Sequence, residues 1–118
     1  MWQVEYTDEF LAWWESLDGD AQDAVDRGVR LLEQFGPALG RPHVDTLAGS
    51  RIENLKELRT QYQGHPLRTL FAFDLRRTAI LLLGGDKTGD ERFYARMIPK
   101  AEQLYGLYLA ELRREGLL

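Results

Sequence analysis

Three short runs in the middle of the chain follow one another with little between them. They are Leu55-Lys56-Glu57-Leu58-Arg59, then Pro66-Leu67-Arg68-Thr69-Leu70-Phe71-Ala72-Phe73-Asp74, then Ala79-Ile80-Leu81-Leu82-Leu83-Gly84-Gly85-Asp86-Lys87-Thr88. A parallel strand pair needs a crossover of a dozen or more residues, and Gln63-Gly64-His65-Pro66 and Asp74-Leu75-Arg76-Arg77 are too short to supply one. The spacing therefore predicts an antiparallel meander with strands over 52–60, 67–74 and 78–84. In the second strand Leu67, Thr69, Phe71 and Phe73 would face one side and Arg68, Leu70, Ala72 and Asp74 the other. Residues 79–83 are apolar throughout, as expected of a strand covered on both faces.

The flanking segments read as one further strand and helices. Trp2, Val4 and Tyr6 alternate with polar residues and predict a first strand. Thr7 or Asp8 can cap a helix carrying Phe10, Leu11, Trp13, Trp14 and Leu17, and Asp18-Gly19-Asp20 breaks it and caps the next. Ala21, Ala24, Val25, Gly28, Val29, Leu32 and Phe35 form the stripe of that second helix, which Gly36-Pro37 ends. Two adjacent tryptophans cannot both point inward from one helix, so one of Trp13 and Trp14 should be partly exposed and available to a partner. Residues 36–50, with three glycines and two prolines, read as a connection. A short helix is expected over 91–97, and Pro99 suits the first turn of a separate one carrying Ala101, Leu104, Tyr105, Tyr108, Leu109 and Leu112. The predicted class is α+β, a single domain over 1–118: a twisted antiparallel sheet with an N-terminal helical hairpin and a C-terminal helix packed on it.

Charge is distributed unevenly. The formal net charge is −4. Residues 1–50 hold three Arg and ten acids, net −7; residues 51–100 hold ten Lys or Arg and six acids, net +4; the remainder is net −1. A basic middle on an acidic chain suits a polyanion such as RNA. There are no cysteines, which removes disulfides, thiolate nucleophiles and thiolate metal sites, and which is compatible with a reducing cytoplasm. No apolar run approaches the roughly 20 residues of a bilayer span, and Met1-Trp2-Gln3-Val4-Glu5 lacks the pattern of a secretory signal, so no membrane partner is expected.

Several motifs are excluded by spacing. Gly84-Gly85-Asp86-Lys87-Thr88-Gly89 lies between a strand and a helix, yet Asp86 precedes Lys87 and position 82 is Leu, so it is not a nucleotide-binding P-loop. His43 and His65 have no metal-ligand spacing and read as turn residues, and no cofactor is implied. The sheet cations are more informative. Paired as hairpin strands, Arg59 and Arg68 approach each other, and like charges across strands need an anion between them. Glu57 or Asp74 can supply it within an ion-pair network; an RNA phosphate is the other occupant of such a pair. Cleavage of RNA by its own 2′-hydroxyl needs a base, a leaving-group acid and cations around the phosphorane, and Arg and Lys supply the last. Tyr94 can stack on a base, relay a proton, or simply fill the core.

Taken in order, residues 55–59, 68–74 and 84–87, with Phe93-Tyr94, Ile98-Pro99, Ala101 and Leu104-Tyr105, resemble the phage Gp49-like, HigB-type branch of the RelE/ParE toxin superfamily. The resemblance covers nearly the whole chain. It implies a RelE-like fold and the toxin of a type II toxin–antitoxin system. Such a toxin cuts mRNA in the ribosomal A site without metal and is neutralised by a cognate helix-turn-helix antitoxin. Lys56, Arg59, Arg68, Lys87 and Tyr94 are the implied catalytic residues, and Arg51, Arg76, Arg77 and Arg92 the expected RNA contacts. ParE-type relatives instead inhibit DNA gyrase, and a non-catalytic antitoxin-binding module is a third reading. The chain departs from the family in its overall acidity and in Asp86-Lys87-Thr88, where many relatives carry Lys-Lys-Thr.

Overall fold

The computed structural model describes residues 1–118. Strand β1 (Gln3–Tyr6) leads into helix α1 (Asp8–Glu15) through Thr7. The Thr7 hydroxyl oxygen accepts from Phe10 N at 3.0 Å and donates to the Leu82 carbonyl at 2.7 Å, so one residue both caps the helix and ties it to the sheet. Asp18 accepts from Ala21 N at 2.8 Å and starts α2 (Gly19–Phe35). Gly36 ends α2 at φ 55, and a Cβ there would lie 2.2 Å from the Trp2 indole nitrogen, so both backbone and space require glycine. A 3-10 turn (Gly36–Ala38) and a three-residue strand, β2 (Val44–Thr46), follow. The region read as a connection thus contains an edge strand, too short to show an alternation.

Strands β3 (Lys56–Tyr62), β4 (His65–Phe73) and β5 (Thr78–Asp86) form the expected antiparallel meander, in the sheet order β1-β5-β4-β3-β2. Gln63 (φ 49) and Gly64 (φ 80) make a two-residue turn with both central residues left-handed, so β4 starts two residues before the expected position. The sheet is not wholly antiparallel, because β1 pairs parallel with β5. The two N-terminal helices cross one face and deliver the chain to the opposite edge, and the returning meander lays β5 beside β1 in the same direction.

The register slips between Leu70 and Phe71: Leu70 pairs with Leu83 but Phe71 with Leu81. Leu82 is the extra residue of a bulge, and Leu82 and Leu83 both join the apolar cluster beneath the last helix. Beyond the bulge Gly84 faces α1 and Gly85 faces the last helix, α3 (Phe93–Arg114); a Cβ on Gly84 would lie 2.0 Å from a Trp13 ring carbon.

Two apolar layers flank the sheet. Phe10, Val25, Leu32, Leu58, Phe71 and Leu81 fill the α1–α2 side, and Leu70, Ile80, Leu82, Phe93, Met97 and Ala101 the α3 side. Trp13 and Trp14 are both half-buried against the first layer, so neither stands out as the exposed one. Helix α3 runs unbroken through Pro99, where the sequence suggests two helices. An internal proline costs about 3 kcal/mol. Burial of Phe93 and Met97 before it and Leu104 after it, at about 1.5–3 kcal/mol per large side chain, outweighs that cost and holds both halves on one axis.

Candidate active site

The α3 face of β3 and β4 carries charge where the rest of that face is apolar. Arg59 and Arg68 are direct partners across the β3–β4 ladder, as the hairpin reading requires. The anion between them is Glu57, two residues before Arg59 and therefore on the same face. Glu57 is 2% exposed. Its Oε2 accepts from Arg59 Nε at 3.1 Å, and its Oε1 accepts from the Tyr94 hydroxyl at 2.6 Å. Arg68 Nε approaches the same Oε1 at 3.4 Å, close enough for an ion pair, but makes no hydrogen bond although it is buried. Arg59 also reaches Asp45 of β2 at 3.3 Å. The hydrogen bond from the Arg41 guanidinium holds Asp45 below the usual carboxylate range, against the opposing effect of burial.

Tyr94, in the first turn of α3, closes the site from above. Burial pushes its phenol up, donation to Glu57 adds to this, and the Arg68 guanidinium beside it opposes. At neutral pH the phenol keeps its proton. Lys87 Nζ, from the Gly loop between β5 and α3, lies 5.2 Å from the centre of the Tyr94 ring in a cation–π arrangement. The expected residues Arg59, Arg68 and Tyr94 are therefore brought together around one buried carboxylate, and Lys87 joins them through the Tyr94 ring.

The other expected residues lie elsewhere. Lys56 alternates to the opposite face of β3 and donates to Thr46 Oγ1 at 3.1 Å. Arg76 is past the far end of β4, bound to Asp74 at 2.9 Å, to the Tyr108 hydroxyl at 2.6 Å and to Glu5 at 3.3 Å. Asp74 is thus the partner of Arg76 and not of the sheet arginines. Arg77 lies over the Trp2 ring at 4.4 Å. Arg51 and Arg92 are exposed, Arg51 beside α3 and Arg92 at its N-terminus. His65, read as a turn residue, is half exposed but has partners: its Nδ1 lies 2.8 Å from Asp86 and 3.1 Å from Thr88 Oγ1. Burial pulls the Asp86 carboxyl up, and the Thr88 hydroxyl and N–H with His65 bring it below its ordinary value.

A family model described as phage derived protein Gp49-like matches residues 12–106. The chain belongs to the Gp49-like family. It is 48% identical over 99 residues to a protein of Mycobacterium tuberculosis named as a candidate toxin, HigB3, with 83% of this chain and 85% of that protein covered. A second candidate toxin of the same organism, HigB2, is 43% identical over 85% of this chain and 51% of its own length. The resemblance to HigB-type toxins therefore holds as homology. Solved structures share the fold at much lower identity. Isolated Escherichia coli RelE superposes with a TM-score of 0.59 at 9% identity, covering 82% of this chain and 96% of that one. RelE in the archaeal RelE–RelB complex from Pyrococcus horikoshii gives 0.58 at 14%, covering 75% and 97%. The chain is thus a HigB-type toxin homologue with a RelE-like α+β fold.

From the sequence either Glu57 or Asp74 could stand between the sheet arginines, and the structure makes Glu57 the centre of the cluster. The signal is the Glu-x-Arg spacing on a strand whose neighbour carries Arg at the paired position. His65 was legible only through the β4–β5 register, which sets Leu67 opposite Asp86.

Proposed function

We propose that this protein is the toxin of a type II toxin–antitoxin pair, a single cytoplasmic domain that cleaves mRNA on the ribosome. The observation that carries the reading is the direct pairing of Arg59 and Arg68 across the β3–β4 ladder, two guanidinium groups sharing the one carboxylate of Glu57. Two guanidinium groups on one carboxylate leave N–H donors over, and a phosphate oxygen is an acceptor that a guanidinium fits well. In the reaction the 2′-hydroxyl loses its proton and its oxygen attacks the adjacent phosphorus. The 5′-oxygen leaves and takes up a proton, giving a 2′,3′-cyclic phosphate and a free 5′-hydroxyl. Arg59 and Arg68 offset the charge that builds on the phosphorane, Lys87 adds a cation beside Tyr94, and the Tyr94 phenol holds a proton at neutral pH. Glu57 holds the two arginines in place.

The archaeal RelE relative was solved in complex with RelB, and this supports an antitoxin partner here, of the helix-turn-helix kind the family resemblance implies. The test is primer extension on programmed ribosomes given the purified protein. Ribosome-dependent ends within the A-site codon, lost in Arg68→Ala with folding intact, are expected. Intact mRNA together with blocked DNA supercoiling would transfer the reading to gyrase inhibition; intact mRNA with supercoiling unaffected would transfer it to an antitoxin-binding module.

A further inference from the structure

A shallow cleft of about 370 Å³ opens beside the cationic cluster, between the loop before β3 and the first turns of α3. Tyr94 is a wall of both. Ala48, Ile98 and Pro99 give the cleft an apolar lining, and Arg51 and Glu102 are its polar residues. Glu102 is fixed in place: its Oε2 accepts from Ser50 Oγ at 2.9 Å and from the Arg51 backbone N–H. Those two donors hold its carboxyl below the ordinary range, so it is an anion at neutral pH. Both of these bonds go to Oε2, and the nearby Ile52 N–H, which donates to Ser50 Oγ, adds a weaker pull on the carboxyl, so Oε1 keeps accepting capacity. The Arg51 side chain is exposed, and its charge adds to the pull on the Glu102 carboxyl without a salt-bridge contact.

We propose that this cleft binds the nucleobase next to the scissile phosphate and selects bases that carry an exocyclic amino group over uracil. The inference rests on the RNA-cleaving reading and adds a specificity subsite to it. A nucleotide with its phosphate at Arg59 and Arg68 has Tyr94 as its neighbour, and the far side of that tyrosine is the cleft. The apolar lining and the planar Arg51 guanidinium suit the faces of a base. Glu102 Oε1 can only accept. Adenine, cytosine and guanine can each present an amino N–H to it, whereas uracil presents one ring N–H between two carbonyl oxygens that the carboxylate repels.

The first arm of the test needs no ribosome. The purified protein is titrated with the 3′-monophosphates of the four ribonucleosides, following the NMR amide signals of Ala95 and Ile98. The amino-bearing nucleotides should bind about tenfold tighter than uridine 3′-monophosphate, as expected for one hydrogen bond to a charged acceptor. Glu102→Gln should bring the ratio to within about twofold. Arg30→Ala, which removes an exposed cation paired with Asp26 on α2, should leave the discrimination unchanged. Equal binding of all four, no saturable binding, or a ratio unchanged in Glu102→Gln would overturn the proposal. The second arm maps cut sites on an mRNA library. A uracil-poor position that becomes tolerant in Glu102→Gln is expected, and cutting that is indifferent to the variant overturns the subsite. Discrimination among nucleotides without any ribosomal cutting would leave the subsite standing and remove the endonuclease reading, so the two failures are distinguishable.

Discussion

The hydroxyl of Tyr94 lies 2.6 Å from Glu57 Oε1, joining the first turn of α3 to the middle of the sheet. Through that bond the residue that holds Arg59 and Arg68 side by side also places the phenol above them. A carboxylate that is 2% exposed survives only because each oxygen has partners.

Glu57→Gln should therefore destabilise the fold by about 3 kcal/mol. Breaking a fully buried pair can cost more, but Arg59 is 36% exposed, and water screens what remains. The variant leaves two cations opposite each other with only Asp45 nearby, and a neutral amide for Tyr94 to face. Urea unfolding monitored by circular dichroism gives the number. A change below about 0.5 kcal/mol would mean that the arginines do not need the anion, and that Glu57 belongs to the chemistry alone.

Alkaline stability should follow the tyrosines. Burial pushes up the phenols of Tyr94, Tyr105 and Tyr108, and Glu57 and Asp74 reinforce this. A phenol whose folded pKa exceeds the unfolded value of about 10 binds its proton more tightly in the folded state. Its contribution is fully present below pH about 10 and is lost as pH rises through the folded value. Thermal midpoints should thus fall above pH about 10, with tyrosinate absorbance rising together with unfolding. Tyrosinate appearing well below the unfolding transition for these three residues would contradict the burial argument.

Much of this arrangement was legible in the chain because it depends on local rules. The capping pairs Thr7 or Asp8 and Asp18 or Asp20, of which the structure uses Thr7 and Asp18, the terminator Gly36 and the short connections implied the N-terminal helices and the meander, and the hairpin alone implied that Arg59 faces Arg68. What escaped depends on contacts between distant segments. Strand β2 is three residues long and exists because β3 offers it an edge. Pro99 reads as a helix start, but apolar burial on both sides of it overrides the local preference. Lys56 and Glu57 are neighbours in sequence, and only the strand phase sends one to the α2 side and the other to the α3 side. Tyr94 could be placed above Glu57 only once α3 was known to cross β3 and β4.

Acid stability should report on the far end of the sheet. Burial alone would raise the Asp74 carboxyl, but the Tyr108 hydroxyl, the Arg76 guanidinium and the backbone N–H groups of Arg76 and Thr78 bring it below its ordinary value. A depressed folded pKa contributes stability that is present above the unfolded value of about 3.9 and is lost as pH falls through the folded value. Arg76→Ala should lower the thermal midpoint at neutral pH and reduce the drop between pH 5 and about 2, since less stabilisation is left to titrate away. A wild-type acid profile in that variant would show that Arg76 is free of Asp74 and open to RNA.

Gly84 is where the bulge, the helix and the sheet meet, and its requirement is spatial. A methyl group on it would lie 2.0 Å from Trp13 Cε3, with two more ring carbons at 2.4 Å. Trp13 cannot yield easily, because its ring packs tilted against Phe10 with centroids 5.8 Å apart. Gly84→Ala should cost at least about 2–3 kcal/mol, toward the upper end for overpacking. Gly40→Ala is the control, since nothing lies within 4 Å of a Cβ there and no left-handed φ is required. If the cost arises from the ring, it should shrink by more than about 1 kcal/mol when Gly84→Ala is made in a Trp13→Leu background, although Trp13→Leu alone destabilises. Additive effects in that double-mutant cycle would place the strain in the β5 backbone, and the bulge at Leu82 would then be the element that demands glycine.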